Sequence, residues 1–130
     1  MTESHGEHLE KAGRLLRQAR IFSVADAPES VVHLSYYAMF HAATAVLLKH
    51  RGKAALTHAG LIETFGQFVK NHGETARQHG RALNRAKDLR LLADYGIAYQ
   101  DLVEASTKIR EEACAFVEFC KSVVATRGLG

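Results

Sequence analysis

Arg90, Asp94 and Tyr95 place a guanidinium, a carboxylate and a phenol close together in this chain. A cation held at a helix end beside such groups can meet a phosphate, because charge-assisted hydrogen bonds to an oxyanion are strong and directional. A plainer reading is also open. Arg90 and Asp94 stand at i, i+4, the spacing of an ordinary intrahelical ion pair.

A second set of polar groups lies in Ser30 to Leu48, a stretch without Asp, Glu, Lys or Arg that carries His33, Tyr36, Tyr37, Phe40 and His41. Tyr36 and Tyr37 are adjacent, so on a helix they point about 100° apart. One can pack inward while the other faces a neighbour or a partner, and a buried phenol needs a hydrogen-bond partner. His33, Tyr37 and His41 fall at i, i+4, i+8 and are candidate ligand-binding groups on one helix face. The simpler role for the two imidazoles is hydrogen bonding along a seam between helices or subunits.

Eight histidines invite a metal reading. His33 and His41 are two turns apart, about 12 Å at helical rise, too far to chelate one ion. No His-Glu-x-x-His or Cys-x-x-Cys is present, so no metal is expected. No Ser-His-Asp or Cys-His order suggests a nucleophile with its base. No glycine-rich loop with a lysine suggests a phosphate cradle. No cofactor is expected.

These side chains must be positioned by helices. The chain has a single proline, and its apolar residues recur at helical spacing. A first helix is expected from about His8 to Arg20, with Leu9, Ala12, Leu15, Leu16 and Ala19 inward. Asp26 and Glu29 form a capping-box pattern for the second, with Pro28 in the first turn and an end near His50, before Gly52. Thr57 is the expected N-cap of a short third helix, which Asn71-His72-Gly73 stops. The fourth runs from about Thr75 to Ala93. The fifth, from about Asp101 to Thr126, lines up Leu102, Ala105, Ile109, Ala113, Phe116, Val117, Cys120 and Val124. The tail Arg127–Gly130 is expected to fray. An uncharged helix cannot lie on the outside of a soluble protein, so the second helix must be surrounded by the others.

An uncharged stretch this long is also a transmembrane candidate. Its histidines, tyrosines and serines argue against a bilayer, as does a mean hydropathy of -0.14 for the chain. The N-terminus has no basic region followed by an apolar run, so no signal peptide is read there. With 130 residues, 47% hydrophobic, the expectation is one all-α domain over residues 1–130, soluble and cytoplasmic. Cys114 and Cys120, six apart on different turns, are read as small core residues and not as a disulfide. A formal charge of +3 and a pI near 9.0 permit an anionic partner without requiring one.

Three motifs in this order and spacing resemble the HEPN superfamily. They are Tyr36-Tyr37-Ala38-Met39-Phe40-His41-Ala42-Ala43, Thr57-His58-x-Gly60-Leu61-Ile62-x-x-Phe65, and Arg90-x-x-Ala93-Asp94-Tyr95. The chain is most similar to the small stand-alone HEPN proteins of prokaryotes, the UPF0332 group, over about residues 8 to 125. The resemblance implies an up-and-down four- or five-helix bundle, usually a homodimer. It implies a role beside a minimal nucleotidyltransferase in a toxin–antitoxin or stress-defence pair, binding nucleotide or RNA.

Active members of the superfamily are metal-independent ribonucleases. They use an Arg followed, after four to six residues, by a His, joined by dimerisation over the RNA. Here Arg90 matches the Arg, but Tyr95 stands where a His is expected. A tyrosine with an unperturbed pKa of roughly 10 is a poor base near neutrality. Arg51 and His58 also have the right separation, but they straddle the Gly52 loop and read as an accidental match. His33 or His41 could serve only if the fold brings one beside Arg90.

The first reading is therefore a partner module of a nucleotidyltransferase, with Tyr95 as a phenol open to nucleotidylation. The alternatives are an RNA endonuclease using Arg90, Asp94 and Tyr95, and a non-catalytic helical scaffold. A dimer seam is expected near the second and fourth helices.

Overall fold

The computed structural model describes residues 4–126 as five helices: α1 (His5–Ile21), α2 (Pro28–Arg51), α3 (His58–Val69), α4 (Glu74–Tyr95) and α5 (Tyr99–Ala125). Among the described residues there is no strand. The expected helices are all present, with ends that differ for identifiable reasons.

The first helix begins earlier than His8, because Ser4 and Glu7 close a capping box. The Glu7 amide donates to Ser4 Oγ at 3.2 Å, and the Ser4 amide donates to the Glu7 carboxylate at 3.4 Å. The capping box expected at Asp26 and Glu29 does not form. Ala27 occupies the N-cap of α2 without a side-chain bond, and the Asp26 amide turns back to Ser23. Pro28 does open the helix, where its missing N–H is one that no carbonyl would have accepted. The far end of α2 closes at Gly52, which adopts φ 74° and donates its amide to Leu48 at 3.1 Å. This left-handed cap suits a residue without a Cβ.

The uncharged helix is the centre of the bundle. α2 touches each of the other four helices. Val31, Val32, Tyr36, Met39, Val46 and Leu47 are fully buried. By length and hydropathy α2 could cross a membrane, yet 67% of its most apolar window is buried in the bundle. Enclosure by protein is why it needs no charged face.

The third helix is fixed by its first turn. Thr57 Oγ1 accepts the Gly60 amide at 3.1 Å. A Cβ on Gly60 would lie 2.7 Å from that same oxygen and 3.1 Å from the Ala55 side chain. The Thr57-His58-x-Gly60 pattern is therefore a cap that admits no side chain at its fourth position. Beyond it, Phe65 packs against Phe116 of α5, ring centres 5.3 Å apart.

α4 runs through Tyr95, past the expected end at Ala93, and stops at Gly96, which takes φ 117°. The buried stripe of α5 contains Ser106 and Val123 in place of the expected Ala105 and Val124. Ser106 tolerates burial because its hydroxyl donates to the Val103 carbonyl at 2.7 Å. Both cysteines are free thiols. Cys120 is buried in the core, but Cys114 is only half-buried, with an Arg20 guanidinium nitrogen 2.9 Å from its sulfur. The tail Arg127–Gly130 lies outside the described residues.

Candidate functional site

Three helices converge on one polar cluster. α2 contributes Tyr36, Tyr37 and Phe40, α4 contributes Arg90, and the first residue of α3 is His58. The Arg90 guanidinium carbon lies 5.4 Å from the ring centre of Tyr36 and 5.7 Å from that of Tyr37. A planar cation over two electron-rich faces is attracted to both and loses little freedom there.

Arg90 is half-buried, and its Nε is buried with no hydrogen-bond partner. Among the described residues, the Ser35 hydroxyl is the other such atom. A buried donor on a cation without an acceptor is costly, and the terminal nitrogens of the same guanidinium, which are not among the buried unpartnered atoms, are left to meet an oxyanion from outside.

The expected ion pair between Arg90 and Asp94 is absent. Asp94 instead meets His33 of α2, Nε2 to Oδ1 at 3.1 Å, with both side chains substantially exposed. Among the described residues, that leaves the guanidinium without a carboxylate. A carboxylate on Arg90 would compete with a phosphate; the tyrosine rings do not.

His58 is a histidine near Arg90. Its Nδ1 lies 2.7 Å from the Tyr36 hydroxyl, and its ring stacks on Tyr36 and lies tilted against Phe40, with centres 5.6 and 4.5 Å apart. Tyr37 meets it edge-on at 5.7 Å. Burial, reinforced by the nearby Arg90 charge, pushes the His58 pKa below the ordinary imidazole value of 6.5. His58 is therefore neutral at neutral pH. Tyr36 is fully buried, and desolvation raises its phenol to about 12 against the smaller opposing pull of Arg90. It keeps its proton at any ordinary pH.

The remaining sequence candidates are dispersed. His33 reaches α4 through Asp94, whereas His41 turns to α1, its Nδ1 3.0 Å from that of His8. The two imidazoles thus serve different helix seams, and His41 also meets Phe40 of the cluster edge-on, ring centres 5.5 Å apart. Tyr37 does join that cluster. Tyr95 projects outward, 85% exposed, one turn beyond the ring-stacked Arg90. Among the described residues no three His, Cys, Asp or Glu side chains are grouped as a metal ion would need.

The juxtaposition of His58 with Arg90 is not legible in the sequence. His58 was visible within the Thr57-His58-x-Gly60 motif, and its spacing from Arg51 pointed to the wrong arginine. No local pattern reports that α3 begins against the middle of α2.

Comparison with known proteins matches a family model, the HEPN domain, over residues 5–126. A UPF0332 protein of Archaeoglobus fulgidus is 34% identical over 116 residues, covering 89% of this chain and 91% of that one. A UPF0332 protein of Gloeobacter violaceus is 35% identical over 96 residues, 74% of this chain and 75% of the relative. A protein of Methanocaldococcus jannaschii named "Putative toxin MJ0605" is 32% identical over 116 residues, 89% and 85% of the two chains.

Proposed function

This chain belongs to the HEPN domain family, and from that premise we propose that it is a toxin-type subunit whose Arg90 surface binds the phosphates of RNA or a nucleotide. The observation that carries the reading is the half-buried guanidinium held 5.4 and 5.7 Å from the ring centres of Tyr36 and Tyr37 with its Nε unpartnered. Such a cation is pre-oriented, so little ordering is needed when an oxyanion arrives. The toxin in the name of the archaeal relative fits this role.

The subunit works as a homodimer in the cytoplasm, paired with a minimal nucleotidyltransferase in a toxin–antitoxin or stress-defence couple. Tyr95 is the site at which such a partner would act. Its phenol oxygen stands clear of the bundle and can attack the α-phosphate of ATP. A phenol–phosphorus bond forms, pyrophosphate leaves, and the phenolic proton goes to solvent.

Retention of single-stranded RNA by wild-type and Arg90→Ala protein tests the phosphate site. A lost charge-assisted hydrogen bond of about 1.5–3 kcal/mol predicts a loss of about tenfold or more in affinity. Equal retention by both proteins would reject the assignment.

A second reading is favoured by one specific observation, the neutral His58 beside Arg90. A phosphate-binding cation next to an unprotonated imidazole is the equipment of a metal-independent RNA endonuclease. Cleavage of RNA in the presence of chelator, abolished by Arg90→Ala, is the outcome this reading requires.

A further inference from the structure

We propose that the groove between the end of α1 and the start of α2 is a docking site for a partner protein, and that it takes an acidic amphipathic helix. The surface is separate from the Arg90 cluster, and the inference does not depend on the RNA reading.

The groove begins where α1 leaves the core. Ile21, the last residue of α1, is 80% exposed, and Phe22 after it is 41% exposed. With Leu34 of α2 they wall an open groove of about 720 Å³, and Ser30 and His33 complete its α2 side. That side is held in place, because His33 is tied to Asp94 of α4 at 3.1 Å. Large apolar side chains left in water add nothing to the stability of the free chain, whereas covering them is favourable.

The surrounding charge identifies the cover. From Lys11 to Ala25 the sequence holds Lys11, Arg14, Arg17 and Arg20 and no Asp or Glu. A cation late in a helix often serves the last carbonyls. Here Arg110 of α5 has that task, donating to the Ala19 and Phe22 carbonyls at 3.4 and 3.3 Å, and Arg20 is turned to the Cys114 sulfur. Arg14 and Arg17 are exposed and make no hydrogen bond or ion pair among the described residues. Arg14, the groove residue Gln18 and Ile21 stand at i, i+4, i+7, and Arg17 is one turn before Ile21. Both unpaired cations therefore share the outward stripe of α1 that rims the groove.

A concave site needs a convex apolar ridge, which the plane of a bilayer does not present. RNA would set its phosphates against apolar walls and against the Glu29 carboxylate in the lining. A helix with apolar side chains at i, i+4 and i+7 fills a groove between two helices. Its acids lie over Arg14 and Arg17, and its end beside Glu29 carries none. Charges on the rim then set the orientation of the helix and its rate of encounter.

The test is fluorescence anisotropy with a labelled, alanine-rich helical peptide that bears leucines at i, i+4 and i+7 and glutamates near one end. The comparison probes are a scrambled peptide of the same composition, single-stranded RNA and phosphatidylserine vesicles. The designed peptide should bind saturably. Ile21→Asp should weaken it about tenfold or more, as loss of an apolar anchor does, and circular dichroism should show that variant folded, since Ile21 is exposed. Arg14→Glu with Arg17→Glu should weaken binding and remove its salt dependence.

Failure of the designed peptide to bind would overturn the proposal, as would equal binding of the scrambled peptide or equal binding by Ile21→Asp. Binding of RNA or vesicles that requires Ile21, without binding of the peptide, would assign the surface to that ligand instead. If Ile21→Asp turns a dimer into a monomer in light scattering, a second copy of the chain covers the groove and the proposal falls.

Discussion

At the scale of the residue, Arg90 organises the site. Its guanidinium lies over Tyr36 and Tyr37, and its charge contributes to holding His58 neutral. Arg90→Ala should therefore raise the His58 pKa toward its ordinary value, a change that proton NMR would follow directly. An unchanged midpoint would mean that the two groups do not sense one another. Arg90→Lys should not restore RNA binding, because an ammonium cannot present a planar fork of donors.

Arg90, Asp94, Tyr37 and Tyr95 could be picked out from residue type and spacing. The local pattern misassigned the partner of Asp94, since i, i+4 spacing favours Arg90 and only the packed fold brings His33 within 3.1 Å. His58 escaped for the same reason: its neighbours come from α2 and α4, and sequence distance carries no trace of them.

At the scale of the element, the first turn of α3 decides where His58 stands. Thr57 caps it, and Gly60 leaves room for that cap. Thr57→Ala should cost about 1 kcal/mol in urea unfolding, and Thr57→Ser should recover most of it. Gly60→Ala should resemble the loss of the cap, because its Cβ would meet Thr57 Oγ1 at 2.7 Å. If Gly60→Ala were as stable as wild type, the cap would not be what fixes the turn. Helix existence was legible throughout because apolar spacing and turn residues agree. Helix starts were less so. Asp26 and Glu29 present the letters of a capping box, but the backbone turns back at Ser23, whereas Ser4 and Glu7 form a real one.

At the scale of the molecule, the buried core couples stability to pH. Tyr36 has an ordinary phenol value of 10.0 and is raised to about 12 in the folded chain. A raised value means that folding favours the protonated phenol, so its contribution is complete below pH 10 and disappears as pH climbs toward 12. The shift corresponds to about 3 kcal/mol. Between pH 10 and 12, Tyr36→Phe should lose less stability than wild type in thermal melts. A parallel loss in both would show that this phenol does not control the alkaline limb.

The outer surface carries a second expectation. Leu91, Leu92 and Tyr95 are 39%, 49% and 85% exposed on the last turns of α4. With twofold pairing across that end, wild type should scatter light as a dimer and Leu92→Asp as a monomer. A monomeric wild type would remove the pairing. The enclosed helix was the most legible feature at this scale, since nineteen residues without charge require a surrounding. The outer face was less so, because exposed apolar residues at one helix end read in sequence like any other core positions.

The most direct measurement is the NMR signal of the Arg90 Nε–H during titration with a short single-stranded RNA. That nitrogen is buried and unpartnered among the described residues, so its resonance reports a phosphate that binds the outer nitrogens of the same guanidinium. Phosphate binding at Arg90 should give a saturating shift of the Arg90 signal, with His58 and Tyr37 moving in step. Saturable RNA binding that leaves Arg90 unmoved, while arginines such as Arg77 and Arg81 respond, would contradict it.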